Sequence, residues 1–210
     1  PNNRGLAVKG DQLFMGTLDG RLVSVDRYTG NLRWSVQTTP LDKPYSITGA
    51  PRVVDNLVII GNSGAEYGVR GFVTAYDVDS GNQIWRFHTV PGDPELGFES
   101  PAQEAAADTW NGQWWRFGGG GTVWDGITYD PEFDQLLIGV GNGSPHNRRI
   151  RSPGGGDNLY LSSIVALDPK TGEYRWHYQE VPAETWDYTA TQQITLATIN
   201  WQGRPTPVIM

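Results

Sequence analysis

A handful of oxygen-bearing side chains and one tryptophan stand where the sequence departs from its own repeating pattern. Glu66 lies in GNSGAEYGVRG (61–71), directly after the apolar run LVII (57–60). Small neighbours such as Gly64 and Ala65 let a backbone come close to something flat or charged. Asn142 in GNGSPHN (141–147) offers an amide oxygen. With the Glu66 carboxylate it could hold part of a Ca2+ shell, which takes six to eight oxygens and often borrows some from a ligand. Trp124 in GGGGTVWDG (118–126) could be the floor under a planar ligand. Thr48 in SITGAP (46–51), Ser63 and Thr122 could hydrogen-bond acidic substituents of that ligand. Asp187, between Trp186 and Tyr188 in EVPAETWDYTA (180–190), reads as a general base in an apolar setting.

Each residue also has a plainer reading. A glutamate after a strand is most often a solvated strand end. The Gly118–Gly121 run reads as a flexible loop, and Asn142-Gly143-Ser144 is also a glycosylation sequon. Gly139-x-Gly141-x-Gly143 is not a dinucleotide fingerprint, because no helical pattern follows it. His88, His146 and His177 lack metal-ligand spacing and read as structural.

The elements that must position these groups come from an internal repeat. LVSVDRYTGNLRWSV (22–36), VTAYDVDSGNQIWRF (73–87) and IVALDPKTGEYRWHY (164–178) share an Asp, a Gly four positions later and a Trp eight positions later. Strand, Asp-x-x-[TS]-Gly turn, strand with a Trp describes a β-hairpin, with the Asp side chain capping turn amides. An apolar run precedes each hairpin: LFMG (13–16), LVIIG (57–61) and LLIGVG (136–141). Units of about four strands at this spacing predict β-propeller blades, with the tryptophans packing between them. The predicted blades lie near 13–36, 57–87 and 136–178, and a further one begins near 192–210. Successive tryptophans are 51 and then 91 residues apart, and the excess is assigned to long loops at 92–124 and 144–160 rather than to a helix. Asp77-x-Asp79-x-Gly81 looks like a calcium loop but is the ordinary turn of the repeat.

Composition narrows the function. A net charge of −7 gives no electrostatic basis for broad nucleic-acid or anionic-membrane binding. The chain has no cysteine, hence no disulfide, thiolate nucleophile or CxxCH haem attachment in the segment. Its apolar runs fall well short of the roughly 18 residues a membrane span needs. Opening with PNNRG and stopping in the apolar PTPVIM, it reads as an internal piece of a longer chain, residues 1–210 forming part of one propeller domain.

Taken jointly, SITGAP, GAEYGVRGFVTAYD, GGGGTVWDGITYDP, GNGSP, GGDNLYLSSIVALDPKTG and WHYQE with WDYT resemble the motifs of the pyrroloquinoline quinone (PQQ)-dependent alcohol dehydrogenases, in the family's order. The resemblance covers nearly the whole chain, and GNGSPHN and WDYT look closer to the ethanol-type and quinohaemoprotein branches than to methanol dehydrogenase. It implies an all-β, eight-bladed propeller of which this chain is three to four blades. It implies that Glu66 and Asn142 ligate calcium, that PQQ stacks on Trp124 beside Thr122, and that Thr48 and Ser63 bind the PQQ carboxylates with Gly64 and Ala65 at its edge. Asp187 matches the catalytic base, close to the metal.

The implied reaction is oxidation of a small primary alcohol in the periplasm, with electrons passed to a cytochrome or similar acceptor; quinohaemoproteins carry haem c on a further domain. Relatives that use lanthanides place an additional Asp two positions after the base; here that residue is Thr189, which favours calcium. The family's arginine near the quinone oxygens and its adjacent-cysteine disulfide are expected outside the segment. The competing expectations are a non-catalytic propeller scaffold and a PQQ enzyme acting on polyols or sugars.

Overall fold

The computed structural model describes residues 2–210. The first blade is an antiparallel meander of β1 (Ala7–Lys9), β2 (Gln12–Gly16), β3 (Arg21–Asp26) and β4 (Leu32–Gln37). The second repeats it with β5 (Arg52–Val54), β6 (Leu57–Gly61), β7 (Phe72–Asp77) and β8 (Gln83–His88). After helix α1 (Pro101–Ala107) and a two-residue strand β9 (Gly119–Gly120), the third blade starts with β10 (Ile127–Asp130) and β11 (Gln135–Gly139). Strand β12 (Gly143–Ser144) and the one-turn helix α2 (Arg148–Arg151) interrupt it before β13 (Ser163–Leu167) and β14 (Tyr174–Gln179) complete the sheet. A hairpin of β15 (Leu196–Trp201) and β16 (Arg204–Ile209) follows.

The inner strands are apolar on both faces because each blade is covered by the next. Every residue of β13 is buried, as are four of the five in β6. Phe14, Leu22, Val58 and Ile60 join the first two blades, and Ile59, Val73, Leu136, Ile138 and Val165 join the second to the third.

The repeat motif links blade to blade. Asp26, Asp77 and Asp168 each accept two backbone N–H bonds of their own turn, at 2.8–3.2 Å. The indole of Trp34 donates to the carbonyl of Val78 at 2.9 Å, in the turn of the following blade. Trp85 does the same to Pro169 at 3.1 Å. The glycine of the receiving turn is what makes room: a Cβ on Gly81 would lie 2.9 Å from the Trp34 ring, and one on Gly172 2.5 Å from the Trp85 ring. Trp176 bonds Gln135 of its own blade instead, at 2.9 Å.

Two expectations need correction. The 92–124 insertion contains α1, started by Ser100, whose Oγ accepts the Gln103 N–H at 3.3 Å, with Pro101 in the first turn. The Gly118–Gly121 run is a packed ribbon rather than a flexible loop. All four glycines have positive φ, β9 pairs with β12, and the Gly121 N–H donates to the Asn142 carbonyl at 2.8 Å. Among the described residues no helix is long and apolar enough to cross a membrane.

The three turn glycines separate backbone strain from packing, since Gly30, Gly81 and Gly172 have φ of 72–73° and only Gly30 has open space around it. Gly30→Ala should cost about 1 kcal/mol through the left-handed backbone alone. Gly172→Ala should cost roughly 1–3 kcal/mol more, because the Trp85 indole must shift. Denaturant midpoints of the two variants of the full-length protein check this ordering, and equal midpoints would contradict it.

Candidate cofactor and metal site

Five of the segments singled out above meet at one end of the blades. The first two are tied by a bridge in which the Ser46 and Ser63 backbones exchange hydrogen bonds at 2.8 and 3.3 Å. That bridge sets the Thr48 and Ser63 hydroxyls 2.6 Å apart. The chain then makes a single 3-10 turn, Ala65–Tyr67, entered and left through left-handed Gly64 and Gly68. Glu66 projects from this turn, exposed, with no hydrogen bond or ion pair to any described residue. The third and fourth segments cross as backbone partners: Gly121 donates to Asn142, and Gly141 to the Thr122 carbonyl at 3.0 Å.

The result is a cavity of about 370 Å3 lined by Thr48, Ser63, Gly64, Glu66, Thr122, Trp124, Asn142, Asp187 and Thr189, together with Asn2, Arg4, Ser46 and Tyr67. Of the residues singled out by sequence, Ala65 alone is left out of the lining; it is buried beneath the turn. Gly64 lines the cavity, yet a Cβ there would meet the Pro44 carbonyl at 2.8 Å, so its small size also serves the backbone packing behind it. A larger cavity of about 810 Å3 lies between β8, α1 and β14 and includes none of these residues.

The donors have definite states. The Asn142 amide nitrogen is engaged by the Gly143 carbonyl at 3.3 Å and the His146 ring at 3.1 Å, which leaves its oxygen for another partner. The Thr122 hydroxyl is buried with no hydrogen-bond partner. A buried polar group without a partner costs about 1–3 kcal/mol, so an unpaired hydroxyl in a cavity wall fits a site built for a polar ligand. Trp124 is half-buried and presents a ring face on which the Arg4 guanidinium lies 4.4 Å from the centroid. The planar guanidinium already covers that face, so a flat ligand stacking there would have to displace Arg4. Glu66, Asp187 and the Asn142 amide offer at most five oxygens, too few for a calcium shell of six to eight, so a ligand would supply others. No group of three or more His, Cys, Asp or Glu side chains is placed to hold a metal unaided among the described residues.

Other expectations change in the structure. Asp187 is not in an apolar setting: its side chain is 60% exposed, and Trp186 and Tyr188 on either side are exposed too. It also holds φ 64°, in the left-handed region, which Asp adopts more readily than most non-glycine residues but still at some cost. His146, expected to be structural, lies beside the site: its Nδ1 is 3.6 Å from the Asp187 carboxylate and contacts the Asn142 amide. His88 and His177 lie away from this site, in the wall of the larger cavity; burial and the nearby Arg70 push His88 down to about 4, and burial lowers His177.

The cavity also holds an arginine that the sequence reading did not single out. Arg4 faces Trp124, and its backbone N–H donates to the Thr48 carbonyl at 3.0 Å. It was not legible because no repeat or motif surrounds it in PNNRG.

The PQQ family, described as the glucose/ethanol/alcohol dehydrogenase β-propeller domain, matches residues 7–210. The chain belongs to this family. Within the PQQ β-propeller family it is 64% identical over 99% of its length to the quinohemoprotein alcohol dehydrogenase ADH IIB of Pseudomonas putida, spanning 30% of that protein. The solved quinohemoprotein alcohol dehydrogenase of Comamonas testosteroni superposes with a TM-score of 0.97 at 52% identity, covering 99% of this chain and 32% of that one. A europium-containing methanol dehydrogenase superposes with a TM-score of 0.87 at 36% identity, covering 99% of this chain and 37% of that one. The chain is thus more similar to quinohemoproteins than to that methanol dehydrogenase, and it spans about 30% of the length of its curated relatives.

The unpaired Thr122 hydroxyl yields a direct test. Thr122→Val keeps the shape and removes the orphaned group, so the ligand-free full-length protein should gain about 1 kcal/mol of stability while losing affinity for the cavity's ligand. Denaturant unfolding of the apo-protein reads the first effect; a loss of stability would show that the hydroxyl is already satisfied.

Proposed function

We propose that the protein containing this segment oxidises primary alcohols to aldehydes with PQQ and Ca2+ held in the cavity described above. The carrying observation is that Thr48, Ser63, Glu66, Thr122, Trp124, Asn142 and Asp187, from five separate stretches, line the same 370 Å3 cavity. Such convergence of a carboxylate pair, an amide oxygen, hydroxyls and an indole has no use in a non-catalytic scaffold.

When bound, PQQ supplies a carbonyl carbon able to accept hydride, and Ca2+ polarises it as a Lewis acid. Trp124 would support the ring from below, and the Thr48, Ser63 and Thr122 hydroxyls would receive its polar edge. Arg4, which covers that face in the ligand-free protein, would move aside to admit the ring and could then donate to its oxygens. Glu66 and the Asn142 amide oxygen would hold the cation, with Asp187 at its edge. The Asp187 carboxylate, 60% exposed at the mouth, is accessible to an alcohol arriving from solvent and would take its hydroxyl proton.

Removal of that proton and of a hydride from the adjacent carbon leaves an aldehyde. A cytochrome-type acceptor in the periplasm, or haem c on a further domain, would take up the two electrons removed from the alcohol. Thr189 lines the cavity and is hydrogen-bonded to the Thr191 hydroxyl at 2.9 Å. A hydroxyl there adds no charge against a trivalent ion, which favours calcium over a lanthanide.

The test is dye-linked ethanol oxidation by the full-length protein purified without PQQ. Activity should appear only when PQQ and Ca2+ are both added, and La3+ should not replace Ca2+. Asp187→Asn should bind PQQ but lose roughly 10²–10⁴-fold in kcat. Absence of PQQ binding, or an Asp187→Asn variant with full activity, would overturn the reading.

A further inference from the structure

Glu184 is fully buried, and its carboxylate bonds to two segments at once. Oε2 accepts the Gly143 N–H at 3.2 Å, and Oε1 accepts the Tyr188 N–H at 3.0 Å. Gly143 is the residue after Asn142, and Tyr188 is the residue after Asp187. One side chain therefore grips the peptide next to the proposed metal ligand and the peptide next to the proposed base.

Arg151, also fully buried, braces the same two segments from the other side. Its Nη2 donates to the Glu184 carbonyl at 2.6 Å, and its Nη1 to the carbonyls of Pro145 at 2.5 Å and His146 at 3.2 Å. Its Nε donates to the Asn158 side chain at 3.2 Å. Thr185 adds a third tie, donating to the His146 carbonyl at 3.2 Å and accepting the Arg148 N–H at 3.2 Å. Burial lowers the Arg151 guanidinium to about 10, and attraction from Glu184 opposes that shift.

The grip on Tyr188 explains how Asp187 stays at φ 64°. A left-handed non-glycine residue costs about 1–2 kcal/mol and relaxes once its neighbours release it. The Tyr188 peptide is held on one side by Glu184 and on the other by the Ser162 hydroxyl, which donates to the Tyr188 carbonyl at 2.7 Å. With the Glu184 bond gone, the Asp187 backbone has lost one of these two restraints. At the other end, Asn142 would lose the anchor just beyond its own peptide.

We propose that Glu184 is a positioning residue that fixes the spacing between Asn142 and Asp187, and so between the cation and the base. This rests on the function proposed above and goes beyond it, because Glu184 does not line the cavity. Groups that orient first-contact ligands typically cost 10–100-fold in metal affinity or activity when changed.

The test uses the full-length protein with Glu184→Gln, which keeps the volume but has one oxygen to accept two N–H groups. Ca2+ is titrated into the apoprotein with PQQ present and no alcohol, read by quenching of tryptophan fluorescence. The variant should need about 10–100-fold more Ca2+ than wild type and show kcat for ethanol lowered by about 10–100-fold, with KM changed far less. Near-UV circular dichroism should match wild type. Glu184→Asp keeps the charge opposite Arg151 but is too short to reach both amides, and it should show the same split if Glu184→Gln fails to accumulate. Wild-type Ca2+ affinity and kcat in either folded variant would overturn the proposal, as would losses that merely track the folded fraction. If wild type itself binds neither PQQ nor Ca2+, the functional reading fails rather than the role of Glu184.

Discussion

The structure depends on backbone meeting backbone at the ends of the blades where the cavity forms. A Cβ on Gly61 would overlap the Val123 carbonyl, and one on Gly139 would overlap that of Ala190. These approaches leave no space for a side chain, and they decide what the cavity contains. Gly61 at the end of β6 is what allows the 122–124 segment, with Thr122 and Trp124, to lie against the strand that leads to Ser63 and Glu66. Gly139 at the end of β11 brings in the 187–190 segment, with Asp187, beside the strand that leads to Asn142. Interiors are packed as densely as crystals, so an added methyl group here is not absorbed by small shifts.

From this constraint the rest follows in layers. Buried apolar strands hold neighbouring blades together, and the tryptophan of one blade locks onto the turn of the next. The rigid ends then carry short, hydrogen-bonded turns whose polar side chains face a shared space. Two carboxylates, one of them at a left-handed backbone position, are left without full partners, as is a buried hydroxyl. Stability is given up at these points, which is the usual mark of a site shaped for a ligand.

Much of the architecture was legible in the sequence because it repeats. Asp, Gly and Trp at fixed offsets identify the turn and the packing residue without any structural knowledge, and each has the predicted physical role at Asp77, Gly81 and Trp85. The second duty of Gly81, receiving Trp34, was not legible, since it joins residues far apart in the chain. Candidate site residues could be listed because they interrupt the repeat, but their environments could not. Asp187 was read as sheltered by its aromatic neighbours, whereas Trp186 and Tyr188 turn outward. Side chains that serve through the backbone, Glu184 and Arg151, carried no local signal at all. Helix α1 was hidden by its brevity, although Ser100-Pro101 with Gln103 is a recognisable start.

The account's central claim is that these segments close around a flat cofactor and a cation. A crystal structure of the full-length protein grown with PQQ and Ca2+ tests it most directly. The account predicts ring density against the Trp124 indole and a cation within about 2.3–2.6 Å of Glu66 and the Asn142 amide oxygen. It also predicts the Thr122 hydroxyl hydrogen-bonded to the ligand and Glu184 still bridging Gly143 and Tyr188. A ring bound elsewhere, or a cation that ignores Glu66 and Asn142, would contradict it.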